Sequence, residues 1–292
     1  MNKSDAVSGA LVADAAAMGL HWMYDQDHIK QIAQSGDIVF RQPDAAVYEG
    51  QKSFFAHAGR LAGQSSHYGE ALQLYADLLG KGDDYTVASH RELFLQRFGP
   101  GGTFVGYADR PTRALVARML TEQDDLEDAS GADDDQLPAL ASVPAFFAFG
   151  GSENLEKAVR VVSNNQTAVD GALTVMRCLE LLQQGQSMAA ALEKSASDCP
   201  GELGKLLSEA LTNKEYDPLA AAQHFGMPCH LPQGLPVVWH MLNHEQSFET
   251  VVRDNVACGG DSCGRALALG SIAGYQLGIP EAYRQRATVL KN

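Results

Sequence analysis

The sequence predicts an all-α protein, on three observations. About a dozen segments repeat apolar residues every three to four positions, the period of a helix with one buried face. No segment alternates apolar and polar residues well enough to make a half-buried strand. Segments near both ends of the chain, 4–21 and 262–278, are crowded with Ala and Gly, which marks helices packed closely. No composition break or repeat divides the 292 residues, so one helical domain over 1–292 is expected.

The first helix is expected from Ser4, a residue suited to an N-cap, to His21, with Val7, Leu11, Ala15 and Met18 on one face. Asp14 lies inside it. A carboxylate buried there needs partners, and a neighbouring helix N-terminus would supply them. His21-Trp22-Met23-Tyr24-Asp25 then reads as wall or rim of a pocket. A short helix over 25–34 leads into 36–63, an irregular stretch of a length that is uncommon unless functional. Ser65-Ser66-His67-Tyr68-Gly69-Glu70 opens the next helix, and Glu70 falls in its first turn, where the helix dipole favours a carboxylate.

A helix over 86–98 precedes the flexible loop 99–107, which lacks the Gly-Lys-Ser/Thr ending of a phosphate-binding loop. The helix 109–121 carries Pro111 in its first turn. Residues 122–135 are strongly acidic and read as a solvated loop. Asp134, Asp135 and Gln136 differ from the rest, because they stand on the lip of an apolar helix, 140–149. Helices over 153–163 and 167–183 flank the amide-rich break Asn164-Asn165-Gln166. Shorter helices over 187–196, 202–211 and 218–225 carry no visible chemistry. A Pro-punctuated loop, 226–236, precedes helices over 237–242 and 248–256.

The last long helix follows Gly259-Gly260, a pair that permits positive φ and delivers Asp261 to the helix N-terminus. Gly270, Gly274 and Gly278 recur at one-turn spacing, a stripe along which a neighbouring backbone can lie close. Cys263, in the first turn, is either a thiol with a lowered pKa or a small buried filler.

Composition narrows the partners. The net charge is −14 and no Lys/Arg stripe tracks a phosphate backbone, so neither nucleic acid nor an anionic membrane is an expected partner. No apolar run approaches a membrane span, and no signal peptide is read at the N-terminus. Five scattered cysteines suit reduced thiols and a cytoplasmic protein, and Cys258-x4-Cys263 lacks zinc-ligand spacing. The oligomeric state is left open.

Several motifs in order carry a family resemblance. Gly9-Ala-Leu-Val-Ala-Asp14-Ala-Ala-Ala-Met-Gly19-Leu, together with Gly259-Gly260-Asp261-Ser262-Cys263-Gly264, resembles the ADP-ribosylglycohydrolase family. His21-Trp22-Met23-Tyr24-Asp25, Asp134-Asp135-Gln136 and Ser163-Asn-Asn-Gln-Thr-Ala-Val169 resemble its branch related to J-type lens crystallins. The resemblance implies an orthogonal all-α bundle whose cleft, in well-studied members, holds two Mg²⁺ ions and ADP-ribose. There the metal orients ribose and water while a carboxylate acts as base on a glycosidic bond.

The family's Thr-Asp-Asp-Thr corresponds to Tyr68-Gly69-Glu70-Ala71, and its Gly-Gly-Asp-Thr-Asp to Gly259-Gly260-Asp261-Ser262-Cys263. Two carboxylates are missing, so one Mg²⁺ or none is expected rather than two. By the same resemblance, Glu70, Asp261 and Ser262 are the candidate metal ligands. Glu70, Asp134 and Asp135 are the candidate catalytic groups. Gln136, Asn164, Asn165, Phe104, Gly106, Tyr107 and His67 are candidates to contact an ADP-ribose-like substrate. Three readings follow: a metal-assisted hydrolase of a ribosyl conjugate, a non-catalytic binding or structural protein on the same bundle, or a thiol-dependent hydrolase using Cys263.

Overall fold

A computed structural model describes residues 2–82, 84–121, 131–213, 215–244 and 247–291. The acidic run expected as a solvated loop lies outside the described residues over 122–130. In chain order the helices are α1 (Ser4–Ala17), α2 (Gln26–Ser35), α3 (His67–Leu79), α4 (Val87–Phe98) and α5 (Arg110–Thr121). They continue with α6 (Val143–Ala145), α7 (Leu155–Val162), α8 (Gln166–Gln183), α9 (Met188–Asp198) and α10 (Gly201–Thr212). The last are α11 (Pro218–Phe225), α12 (Leu231–His244), α13 (Phe248–Ala257), α14 (Ser262–Leu277) and α15 (Glu281–Arg286). Among the described residues the protein is all-α, with three isolated β-bridges and no strand.

The bundle is built on α1 against α14. A Cβ on Gly9 would lie 2.2 Å from the carbonyl oxygen of Gly270, and one on Gly270 would lie 2.5 Å from that of Gly9. Gly274 completes the contact, its Cβ position 2.7 Å from the Gly9 Cα. The close approach places both backbones, rather than side chains, at the centre of the core. Gly278 is no part of this stripe. It ends α14 in the left-handed region at φ 78°, with open space where a Cβ would be.

Other boundaries depart from the sequence reading for local reasons. Ser4 is the first helical residue of α1 rather than its cap, and 3₁₀ geometry takes over from Met18 to Leu20. The apolar segment expected over 140–149 divides into a 3₁₀ stretch Leu137–Ser142, α6, and a π-helical turn Phe146–Gly150. Pro138 and Pro144 each lack an N–H, which disfavours one continuous α-helix there. Conversely, α12 runs straight through Pro236, and begins at Leu231 in what reads as a loop. Burial of Leu231, Leu235, Val238 and Trp239 along it outweighs the single hydrogen bond the proline removes.

Candidate functional site

The Gly259-Gly260 turn positions the site. Both residues have positive φ, 71° and 65°, and a Cβ on either would strike the carbonyl of Met23 or Met227 within 2.6 Å. Only glycine fits such a turn against two backbones. Gly260 N–H donates to Met23 O at 2.7 Å, Asp261 N–H donates to Met227 O at 2.9 Å, and Trp22 N–H donates to Gly260 O at 2.8 Å. Arg265, fully buried, fastens the turn from behind by donating to Gly259 O and to Asn255.

Asp261 thus arrives at the head of α14 with no solvent exposure. One carboxylate oxygen accepts from Gly264 N–H at 2.8 Å and from His21 Nε2 at 2.9 Å. The other accepts from the Tyr68 hydroxyl at 2.7 Å. Burial alone would raise the carboxyl, but His21, Tyr68 and the Gly264 N–H outweigh it and hold it below the usual Asp value. Burial keeps His21 neutral, pushing it below the ordinary histidine value against the pull of Asp261. With its Nε2–H given to Asp261, the neutral ring accepts at Nδ1, so His57 Nε2–H is the donor across their 2.7 Å contact. His57 is held well below the ordinary value by burial and by the neighbouring His21, His67 and Arg60.

Beside this chain lies a second buried carboxyl. Asp14 accepts from both the N–H and the hydroxyl of Ser66, the N-cap residue of α3, so α1 does meet a neighbouring helix N-terminus there. Burial, only partly offset by Ser66, raises Asp14 to about 6. Cys263 points its thiol at the Asp14 carbonyl, 3.6 Å away. Burial, with Asp14 and Asp261 adding to it, pushes that thiol well above its ordinary value. The lowered thiol pKa expected of a helix N-terminus is therefore absent, because desolvation and two carboxylates oppose the dipole.

Aromatic rings close the site over. Trp22, in the left-handed region at φ 61°, stands 5.2 Å from Tyr107 and 5.6 Å from Phe54, centroid to centroid. Tyr107 also packs edge-on to His67 at 5.6 Å. Phe54 alone of the three is widely exposed, at 51%. Tyr107 thus joins the site as cover. Phe104 and Gly106 sit apart from it: Phe104 packs on Phe98 and under Arg60, folded over Gly106.

Of the candidate metal ligands, Glu70 and Asp261 are engaged separately. Glu70 accepts from Arg60 at 2.8 Å and from Arg97 at 2.7 Å, one guanidinium on each oxygen. Ser262 is buried, and its hydroxyl has no hydrogen-bond partner. Gly69, at the position of the family's first aspartate, leaves no room for one: a Cβ there would lie 2.4 Å from Asp14 Oδ2 and 2.9 Å from Ser65. A Mg²⁺ ion prefers an octahedron of oxygens with carboxylates free to bind it. These residues do not offer that, because every carboxylate oxygen of Glu70 and Asp261 already has a partner.

The acidic lip forms a separate, wetter rim. Asp134 is 4% exposed and accepts from Gln136 N–H at 3.0 Å and from Arg110 at 3.2 Å. Burial raises its carboxyl, with Gln136 and Arg110 opposing and Asp109 and Asp135 adding. Asp135 pairs with His230 at 2.6 Å, both part-exposed. Asn165 caps α8 through its side-chain oxygen and donates to Asp133 at 2.6 Å, whereas Asn164 lies on the surface against Arg160. His67 sits inside rather than on the rim, with Nε2 leaning on Asp109 at 3.4 Å and Nδ1 without a hydrogen-bond partner. The segment 227–231 joins rim and interior, with Leu231 N–H donating to Asp135 O at 2.9 Å, Leu137 N–H to Cys229 O at 2.8 Å and Asp261 N–H to Met227 O at 2.9 Å.

Sequence reasoning singled out Asp261 and read His21 as wall or rim of a pocket, but it missed His57, Arg60 and the role of Tyr68. His57 and Arg60 lie in the irregular connection 36–63, where no periodicity points to them. Tyr68 stands where the family carries Thr, and that exchange of hydroxyls was the available signal.

Comparison with known proteins follows from this geometry. Residues 4–289 match the family model described as ADP-ribosylglycohydrolase. Crystallin J1A of Tripedalia cystophora is 24% identical, the match covering 97% of this chain and 91% of the crystallin. Crystallin J1B of the same organism is 23% identical, over 94% and 87% respectively. A solved structure titled "ADP-ribosylglycohydrolase-related protein complex" superposes with a TM-score of 0.67 at 15% identity, covering 97% of this chain and 91% of that one. The likeness to the solved structure concerns the fold. Among the described residues no helix is long and apolar enough to cross a membrane.

Proposed function

This chain belongs to the ADP-ribosylglycohydrolase family, and we propose that it is a member without Mg²⁺-assisted hydrolysis of ADP-ribosyl bonds, keeping the bundle for a binding or structural role. One observation carries the reading: Asp261, the one aspartate left of the family's Gly-Gly-Asp-Thr-Asp, is fully buried and bound by His21, Tyr68 and Gly264. A Mg²⁺ ion on Asp261 would have to displace the imidazole of His21 and the phenol of Tyr68 from its carboxylate. Glu70 cannot compensate while two guanidiniums hold it. The relatives named crystallin J1A and crystallin J1B are compatible with a role of this kind.

The rim is where binding would reside. Asp135, Gln136 and His230 present a carboxylate, an amide and an imidazole there, groups suited to the hydroxyls of a ribose, with the buried Asp134 holding Gln136 in place. The test is incubation of the purified chain with ADP-ribosylated peptides of several linkages and Mg²⁺, alongside calorimetry with ADP-ribose. Binding, or silence in both assays, is the expected result. Mg²⁺-dependent release of ADP-ribose that disappears in Asp261→Ala would overturn the reading and restore the metal-assisted hydrolase.

A further inference from the structure

The same interior holds a donor set of a different kind. His21, His57 and Cys263 are all buried and lie on three separate segments: the end of α1, the irregular connection and the head of α14. One ligand atom from each falls within 4.8 Å of the other two. His21 Nδ1 and His57 Nε2 face each other at 2.7 Å, with the rings stacked at a centroid separation of 4.9 Å. Two imidazoles and a thiol suit a borderline-soft cation and discriminate against Mg²⁺, which seeks oxygen.

We propose that His21, His57 and Cys263 form a buried binding site for a borderline-soft divalent cation, with Zn²⁺ as the probe that defines it. The surroundings are those of a built metal site. Asp261 receives the His21 Nε2–H at 2.9 Å, fixing the tautomer whose lone pair lies on Nδ1, where His57 Nε2–H now donates and a metal would take its place, and Tyr68 secures Asp261 in turn. A carboxylate behind a ligand histidine orients the ring and raises its basicity. His67 stands 6.3 Å from His21 and 6.4 Å from His57, with a buried Nδ1 that has no hydrogen-bond partner. Its nitrogens fall outside the group whose ligand atoms lie within 4.8 Å of one another, so a water would complete the fourth position. The hydroxyl of Ser262, next to Cys263 in the chain, is likewise buried with no hydrogen-bond partner among the described residues.

Loading breaks the His21–His57 hydrogen bond, turns both rings toward a shared ion and draws the Cys263 sulfur in from within 4.8 Å. Tetrahedral Zn²⁺ at about 2.0 Å from each nitrogen holds its ligand nitrogens about 3.3 Å apart, so the two rings need to separate by about 0.6 Å. His57 carries its remaining proton on Nδ1 in place of Nε2. The Cys263 thiol gives its proton to solvent as its sulfur bonds to the ion, so one proton is released per cation bound. The proposal does not depend on the absence of Mg²⁺ chemistry. It concerns a different ion on a different donor set.

Because Trp22 and Tyr107 cover the site, the full chain is to be refolded with Zn²⁺ or Co²⁺, desalted against a weak chelator and assayed for metal. One ion per chain is expected, with a thiolate-to-cobalt charge-transfer band for the Co²⁺ form and a thermal midpoint that rises with metal. Cys263→Ser removes the band, and His57→Gln lowers the metal content, while Cys229→Ser and Cys258→Ser retain both. Circular dichroism establishes that each variant is folded. A folded wild-type chain that stays substoichiometric, or a charge-transfer band that survives Cys263→Ser, overturns the proposal. Neither result bears on Mg²⁺-dependent release of ADP-ribose, so the two readings fail separately.

Discussion

Asp261 and Asp135 each accept a hydrogen bond from a histidine, at 2.9 and 2.6 Å, yet the two pairs serve opposite ends. The Asp261–His21 pair has lost all contact with water and is closed into a network with Tyr68, His57 and Gly264. The Asp135–His230 pair keeps part of both side chains in solvent and no third partner fixes it in that way. A buried pair is costly to break and fixes a unique arrangement, whereas an exposed one is replaceable. Fold-determining polar groups therefore lie inside, and ligand-ready ones lie on the rim. Breaking each region in turn tests that division.

The largest effect is expected where the interior is framed by backbone. Gly270→Leu would drive a side chain into the Gly9 carbonyl and the Ala10 and Ala13 positions, all within 2.8 Å of its Cβ. Neither helix can retreat without carrying Asp14 and Asp261 with it, since both sit on this pair. A loss of more than about 3 kcal/mol, or failure to fold, is expected by urea denaturation. A variant of near wild-type stability would mean that α1 and α14 are not the rigid frame of the site.

Next comes the network itself. Asp261→Ala strands the His21 N–H and the Tyr68 hydroxyl in the core and removes the cap of α14. About 3 kcal/mol is expected for such buried partners left unpaired. Asp135→Ala, the matching cut on the rim, removes the same type of bond at the surface. Equal losses for the two variants would erase the distinction between the regions.

How far the sequence reached divides along the same line. Helices whose apolar faces repeat regularly, such as α3, α4 and α11, were legible to within one or two residues, because burial of one face determines both period and length. Those interrupted by proline were not: α12 passes through Pro236 because long-range burial outweighs local propensity. In the site, the Gly259-Gly260 turn and Asp261 were legible, since only glycine tolerates those φ values against Met23 and Met227. The wider network around Asp261 and Glu70 was not. His57 comes from a stretch without period, and Arg97 reaches Glu70 from another helix, so their meeting is a property of tertiary packing alone.

Titration distinguishes the interior as well, with His90→Gln changing it one histidine at a time. His21, His57 and His90 are all depressed by burial, His90 to about 3. In the folded state each stays neutral, while in the unfolded chain each takes up a proton below about pH 6.5. The folded form therefore loses stability as pH falls below that value, by up to about 1.4 kcal/mol per pH unit for each histidine. Asp14 acts in the opposite sense. Raised to about 6, it binds a proton in the folded state that the unfolded chain releases until about pH 3.8, so it supports the fold on acidification. Three depressed histidines against two raised carboxyls, Asp14 and Asp134, give a net loss between pH 6.5 and 4. Urea midpoints across this window should decline with acid, and His90→Gln should flatten the decline. A midpoint that rises instead would assign the interior to Asp14 rather than to the imidazoles.

The smallest effect on stability belongs to the rim, and there it is the useful result. Asp135→Ala removes one part-exposed ion pair, for which about 0.5 kcal/mol is expected. Its neighbours have other attachments: Asp134 is held by Gln136 and Arg110, and Asn165 by the N-terminus of α8. The variant should therefore fold like the wild type, with an unchanged acid limb, because the interior histidines are untouched. If the rim receives a ribose hydroxyl, the same variant should weaken ADP-ribose binding in calorimetry by about tenfold, the value of one charge-assisted hydrogen bond. A loss of stability comparable to that of Asp261→Ala would make Asp135 part of the scaffold, and its carboxylate would then be no candidate for a ligand at all.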